Sequence, residues 1–452
     1  MTYKRFTFSE SVAIIPQKEV LMSGKITWSE DQKIALDLIN RGKSIFLTGG
    51  AGTGKSTVIK NFSNKRNMAY LATTGAASVL IGGQTVHSFF SVPPHIHKPG
   101  DVLEGRREIS EPVIRKIARF DGFIVDEISM MRIDLFQAMT ETILTAMRVR
   151  GGRPFQLICV GDFAQLPPVV TDEEREVLRE YYGNKVFAFE HPLWERLIPH
   201  ELSVIHRQSQ GTSYAEWLAR VRKGDVPDPS IVNARLSPPG EKSVKLVATN
   251  ASARKINEQE MDRLPGPDAN ITGRVEGNFN LASVSVPERY RMRAGARVII
   301  CKNNKDAGYV NGSVGTLTGM GKRAGEFFAK VMLDNGKEVR VKEATWEQIA
   351  YRRDNTGGYS PTVVGRYKQM PLLPGWAITI HRSQGMSLEQ VHVDPKGVFE
   401  SGQAYVALSR ATSIEGLTME SRVDEEMLYP HPKVAAYQNR AFGNSDTPEF
   451  PF

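Results

Sequence analysis

With 452 residues, 40% of them hydrophobic and 24% charged, the chain has an ordinary globular composition; it exceeds the roughly 250–300 residues at which one hydrophobic core stops growing, so at least two domains are expected. No apolar run approaches the roughly 18 residues that a membrane-crossing helix needs, which argues against a helical membrane protein. The 58 Lys and Arg against 50 Asp and Glu leave a formal charge of +8, which suits a polyanionic partner such as nucleic acid.

Residues 1–24 mix acids with bases around a short apolar stretch, Val12 to Ile15, and read as an N-terminal extension rather than a signal or transit peptide. From Ile26 an amphipathic "SEDQKIALDLIN" helix capped by Ser29 leads into the strand "SIFLTG", a Gly-rich loop and the helix "KSTVIKNF". Short apolar strands recur at "NMAYLATT", "FDGFIVDE" and "FQLICVGD", with "RIDLFQAMTETILTAM" helical between them. This alternation predicts a parallel sheet covered on both faces, over residues 25–200. A Pro-rich, basic insertion occupies Ser91 to Phe120. Strand signals resume at "SVKLVATN" and "QVHVD", with helices "SARKINEQEMDRL" and "GQAYVALSRA", which predicts a second α/β domain from 201–281 and 368–430. Residues 282–367 between its halves are Gly-punctuated and alternating. Asn335-Gly336 marks a hairpin there, so a small β-barrel-like insertion is expected, and 431–452 reads as a C-terminal tail. The two cysteines, Cys159 and Cys301, sit in apolar strand-like runs and read as buried free thiols rather than a disulfide or a metal pair.

"GGAGTGKS", Gly49 to Ser56, follows a strand and opens a helix, which is the setting a phosphate-binding loop requires. Gly50, Ala51, Gly52, Thr53 and Gly54 wrap backbone amides around phosphates, Lys55 neutralises β and γ oxygens, Ser56 offers a hydroxyl to Mg²⁺, and Thr57 follows in the helix. In "FIVDEISM", Asp126 ends a buried strand, where it can hold Mg²⁺ through its water shell, and Glu127 can orient or deprotonate an attacking water. An isolated Asp-Glu pair is usually solvated surface; its position after this strand gives it chemistry. Gln165 in "CVGDFAQLPPV" lies just past another strand end, within reach of a γ-phosphate, although alone it reads as a surface glutamine. These pieces describe an ATP hydrolase.

With these elements in order, the sequence resembles the superfamily-one DNA helicases, and most of all the Pif (petite integration frequency) family of their RecD-like, 5′-to-3′ branch, from about Ile26 to Glu420. Gln32 in "WSEDQ" matches the glutamine that reads adenine, and Thr73 to Phe90, "TTGAASVLIGGQTVHSFF", matches segments that touch single-stranded DNA. The resemblance implies DNA contacts at Thr73, Thr74, His87, Ser88, Asn250, Thr379, His381 and Ser383. It implies arginines reaching the nucleotide at Arg207 in "LSVIHRQ" and Arg410 in "VALSRA", with Gln384 and Gly385 near the nucleotide cleft. Either arginine alone reads as a surface ion-pair partner. Phe89 and Phe90 carry two readings, core or base stacking. "TIHRSQGMSLEQ" likewise reads as a helix start capped by Ser383 or Ser387, or as a loop facing DNA on one side and nucleotide on the other.

The implied fold is α/β, two RecA-like P-loop NTPase domains with parallel sheets, a wedge insertion at 91–120 in the first and an SH3-like β-barrel insertion in the second. The implied function is an ATP- and Mg²⁺-dependent 5′-to-3′ DNA helicase that translocates on single-stranded DNA. Its partners would be single-stranded DNA and tailed or forked duplex, with quadruplexes and RNA:DNA hybrids as further substrates in replication, repair, recombination or telomere-type maintenance. A monomer in the cytoplasm, bacterial or phage-type and associated with the nucleoid, is expected. The alternative is a nucleotide-switched clamp that binds single strands and unwinds nothing.

Overall fold

The computed structural model describes residues 27–62, 66–93, 95–105, 108–204, 213–304, 306–323, 326–353, 359–395 and 401–443. Its first sheet is built from β1 (Ile45–Gly49), β2 (Met68–Ala72), β3 (Gln84–Thr85), β4 (Gly122–Asp126), β5 (Gln156–Val160) and β6 (Ile198–Leu202). These run in the order β3-β2-β4-β5-β1-β6, with every pairing parallel. Both faces are covered, and side chains alternate between two cores: Ile45 and Leu47 of β1 join Ile124 and Ile158 on one side, whereas Phe46 joins Phe123 and Cys159 on the other. That is why the strands are continuous apolar runs. Phe89 and Phe90 are fully buried against Phe120 and Phe123, which settles their two readings in favour of the core.

The Ser91 to Phe120 segment is fastened to the helix Ile133–Val149 by two buried carboxylates. Asp134 accepts from the His97 amide at 3.2 Å and Glu141 from the Val102 amide at 2.9 Å. Both cysteines are free, Cys159 buried in β5 and Cys301 half-buried.

The second sheet begins with β7 (Val244–Val247) and is interrupted by a β-rich region. Its strands are β8 (Ala269–Thr272), β9 (Arg274–Gly277), β10 (Arg289–Met292), β11 (Arg297–Ile300), β12 (Val314–Arg323), β13 (Glu326–Leu333), β14 (Glu338–Lys342), β15 (Ala344–Arg353), β16 (Tyr359–Gln369) and β17 (Leu372–Pro374). They form an antiparallel sheet β14-β13-β12-β11-β17, a three-stranded sheet β15-β16-β9 and the pair β10-β8. The β13–β14 turn holds Gly336 at φ +83°, as the Asn-Gly pair demands. The strands overrun the expected limits of 282 and 367 at both ends, because β9 pairs with β16 and β17 with β11. Then β18 (Ala377–Thr379), β19 (Val391–Val393) and β20 (Leu417–Met419) complete the second sheet in the parallel order β18-β7-β19-β20.

The expected C-terminal tail is partly a helix, Pro432–Phe442, and it packs on the first domain. Val434 and Tyr437 stand one turn apart and enter that domain's core. Tyr437 stacks on Phe189 with ring centroids 4.5 Å apart and accepts a hydrogen bond from the Trp194 indole at 2.8 Å. Lys433 donates to Glu190 at 2.8 Å. A segment with an apolar face of this size has a place to bury it, so it does not remain a tail.

Candidate active site and nucleic-acid interface

The loop after β1 turns through Gly52 and Gly54, at φ +83° and +87°, into the helix Lys55–Asn61. Side chains at those two positions would be strained. The Lys55 ammonium donates to the carbonyls of Gly49 at 2.7 Å and Gly50 at 3.1 Å. Burial lowers its pKa, while the charge of Asp162 and then that of Glu127 pull the other way. Gln32, in the helix Glu30–Asn40, accepts from the Ser29 amide and donates to the Thr53 carbonyl at 3.0 Å, which fixes its carboxamide against the loop.

Asp126 closes β4, and Glu127 follows in a left-handed backbone, φ +53°. A residue with a side chain held there costs about 1–3 kcal/mol, a strain that clusters at working sites. Burial raises the Asp126 pKa. Glu127 is pushed up to about 7, first by burial and next by the Asp126 charge, with Lys55 and Arg410 opposing. A carboxyl poised near neutrality suits a general base.

A cleft of about 440 Å³ joins these groups. From the expected set it gathers Gln32, Lys55, Ser56, Asp126, Glu127 and Gln165 on the first-domain wall and Gly385 and Arg410 on the second. Ala51, Gly52, Gly54 and Thr57 lie along its floor, whereas Gly50 and Thr53 face a smaller cavity behind the loop, and Ala51 lines that cavity too. Arg410 is buried and held by its own domain: Nη1 donates to the carbonyls of Ser383 and Met386, each at 3.3 Å, and Nε to that of Val406 at 2.9 Å. Arg207 lies outside the described residues.

Among the described residues, the side chains of Gln384 and Arg222 reach across between the domains. Gln384 Nε2 donates to Glu127 Oε2 at 3.0 Å and to Gln165 Oε1 at 3.3 Å. Arg222, from the helix Ser213–Lys223 that packs in the second domain's core, reaches the first domain and is buried there. Its Nε lies 3.1 Å from both Asp162 oxygens, its Nη2 lies 3.1 Å from Thr48 Oγ1, and its Nη1 pairs with Glu201. Asp162 also accepts from Gln165 Nε2 at 3.1 Å. Arg222 and Asp162 carried no expectation from sequence. Asp162 at a strand end was a readable signal, but nothing in the pattern of Arg222 marks it.

A second cavity of about 260 Å³ lies between both domains and the β-rich region, with Thr74, Glu127, His381, Arg382 and Gln384 on its walls and Trp346 across from them. A third, about 450 Å³, continues past Arg382 and is bordered by Asn250, Arg254 and Arg289. The Thr73 hydroxyl donates to the Glu127 carbonyl at 2.8 Å. His87 is half-buried and Ser88 exposed. Thr379 and Ser383 do not offer their hydroxyls to the cavities. Thr379 is buried and caps the short helix Ile380–Ser383 by accepting from the Arg382 amide at 3.2 Å, and buried Ser383 donates to the Ile380 carbonyl at 2.7 Å. The helix start in "TIHRSQG" is therefore capped by Thr379, not by Ser383 or Ser387.

The description "PIF1-like helicase" is that of a family model matching residues 27–231. The ATP-dependent DNA helicase Pif1 of Bdellovibrio bacteriovorus is 31% identical over 410 residues, covering 87% of this chain and 88% of its own. The chain belongs to the PIF1-like helicase family. Human ATP-dependent DNA helicase PIF1 is 32% identical over 425 residues, 89% of this chain, and this chain spans 62% of it. Among solved structures, Bacteroides sp Pif1 in complex with ADP-AlF4 matches with a TM-score of 0.82 at 28% identity, covering 92% of this chain and 97% of that one. The same protein bound to ssDNA matches at 0.62, with 27% identity and the same coverage. The two α/β domains are thus the RecA-like pair of this family.

The cleft chemistry fits Mg²⁺. Among the described residues no group of three or more His, Cys, Asp or Glu could hold a metal ion, whereas Ser56 and Asp126 share the wall where phosphates would lie. Mg²⁺ takes few protein ligands and completes its shell with phosphates and water, so one carboxylate and one hydroxyl suffice.

Proposed function

We propose that this chain is an ATP-driven motor that moves 5′ to 3′ along single-stranded DNA and separates the duplex ahead of it. The supporting observation is that Glu127 stands on the walls of both the ATP cleft and the second cavity, so one residue touches fuel and track. Lys55 neutralises the phosphates, Gln165 orients the attacking water, Glu127 takes its proton, and Arg410 lends charge from the second domain, with Arg207 as its partner by resemblance. Ser56 and Asp126 would hold Mg²⁺, which would supply charge to the phosphate oxygens.

The single strand runs through the second and third cavities. Thr74, His381, Arg382, Arg254 and Asn250 line these cavities, and contacts at Thr73, His87 and Ser88 are added by the family resemblance alone. Binding is carried mainly by phosphates, so affinity falls steeply with salt. The segment at 91–120, pinned by Asp134 and Glu141, is the wedge, the antiparallel β sheet is the SH3-like insertion, and the working unit on a tailed or forked duplex is a monomer. Among the described residues no helix is long and apolar enough to cross a membrane.

The test is strand displacement by the wild type and by Glu127→Gln on duplexes with only a 5′ or only a 3′ tail. Unwinding of the 5′-tailed substrate by the wild type alone is expected. Unwinding restricted to 3′ tails would overturn the polarity, and DNA-stimulated hydrolysis without unwinding would favour a nucleotide-switched clamp.

A further inference from the structure

The partition between the ATP cleft and the track cavity is one hydrogen bond thick. Glu127 lines both spaces; Gln384 lines only the track side, while its neighbour Gly385 lines only the cleft. The bond from Gln384 Nε2 to Glu127 Oε2, 3.0 Å, therefore ties one carboxylate oxygen to a residue that lines the track cavity. The same amide donates to Gln165 Oε1 at 3.3 Å, so it engages the side chains on both strand ends that face the γ-phosphate position.

We propose that Gln384 is a positioning residue: its amide occupies one oxygen of the Glu127 carboxylate at the wall of the ATP cleft, and single-stranded DNA entering the track cavity draws Gln384 away and frees the base. This rests on the motor reading above. Three features carry it. His381 and Arg382, just before Gln384, line the same cavity, so a phosphate or base arriving there meets the turn that carries the amide. Arg410 clamps the carbonyls of Ser383 and Met386, which leaves Gln384-Gly385 as the span between two fixed points. Gly385 has φ +79° and open space where a side chain would stand, so a change of backbone angle there meets no side-chain barrier of its own. A carboxylate accepting from an amide must give up that bond to turn, and hydrogen bonds to charged groups are among the stronger ones.

The experiment uses the full chain, an oligo-dT strand, and two near-isosteric variants. Gln384→Met keeps the volume and removes the donor; Gln384→Glu keeps the shape and repels Glu127. The turnover rate and KM for ATP are measured with and without the oligonucleotide, whose affinity is read by fluorescence anisotropy. Gln384→Met is expected to raise DNA-free turnover about tenfold, the effect of one such hydrogen bond, and to lower the DNA stimulation ratio by the same factor. The KM for ATP stays as in the wild type, and the oligonucleotide affinity rises by up to about the same tenfold factor, because DNA no longer has to break that bond. Gln384→Glu is expected to uncouple at least as far. An unchanged stimulation ratio in both variants, or an equal loss of basal and stimulated rates, overturns the proposal and leaves Gln384 a packing residue. A wild type whose hydrolysis ignores DNA overturns the motor reading together with the proposal, whereas a stimulated wild type with unaltered variants overturns the proposal alone.

Discussion

Arg222→Met should weaken nucleotide binding although Arg222 does not line the ATP cleft. The guanidinium is buried, with a side-chain exposure of 7%, and its partner Asp162 has none. Methionine fills much of the same space but abandons Asp162, Glu201 and Thr48 together. Removing one member of a buried pair costs about 3–5 kcal/mol, because a carboxylate is left without its partner. Opening the two domains would hydrate Asp162 and relieve part of that cost, so the closed, nucleotide-binding arrangement becomes the disfavoured one. Asp162 is also the largest opposite charge acting on Lys55, so an uncompensated Asp162 competes with phosphate for that ammonium. If about half the penalty survives as lost closure, a non-hydrolysable ATP analogue should bind about 10- to 100-fold more weakly by titration calorimetry. Adding Asp162→Asn removes the stranded charge and should recover most of the loss, a non-additivity that a double-mutant cycle measures. Binding within twofold of wild type by roughly the same scale, or a double variant as weak as the two single losses multiplied, would refute the reasoning.

Tyr437→Ala should lower the melting temperature by several degrees, since truncating a buried aromatic costs about 3–5 kcal/mol; Tyr437→Phe should cost about 1–3 kcal/mol by leaving the Trp194 N–H without its acceptor. Stability should also fall with acid through His191. Burial is the largest influence lowering its pKa from 6.5 to about 4, and Nδ1 accepts from the Leu193 amide at 3.1 Å, so the folded ring is neutral while the unfolded ring protonates near 6.5. The unfolded state therefore binds more protons as pH drops from 6.5 toward 4, and the folded state loses up to about 3 kcal/mol over that window. A His191→Gln variant should melt with a shallower pH dependence between 7 and 5, roughly the window set by that histidine; parallel curves would count against the assignment.

Much of the ATP cleft was legible because its parts are local. A glycine loop between strand and helix, and an acidic pair after an apolar strand, are each set by a few adjacent residues, and parallel strands then bring their ends together. What escaped depends on contacts between distant segments. Arg222 lies 60 residues from Asp162 and 174 from Thr48, and on its own helix it is one basic residue among several. Val434 and Tyr437 are too few to announce a helix with a buried face, and their socket is made by Phe46, Phe163, Phe189 and Trp194 from far upstream. Thr379 and Ser383 stand where the resemblance implied DNA contacts, but spacing alone does not say whether a hydroxyl faces a cavity or closes a turn.

The C-terminal helix also changes the mechanics of the molecule. The chain leaves the first domain after Leu202, builds the second, and re-enters the first domain's core between Leu428 and Val434. Among the described residues the two halves are therefore joined by two covalent crossings rather than one, which makes a closed loop of chain. A joint of that kind swings about the line through its crossings and resists twisting across it. Load pulling on the second domain would be carried into the first along both crossings, and a proteolytic cut in either one would leave the halves still connected.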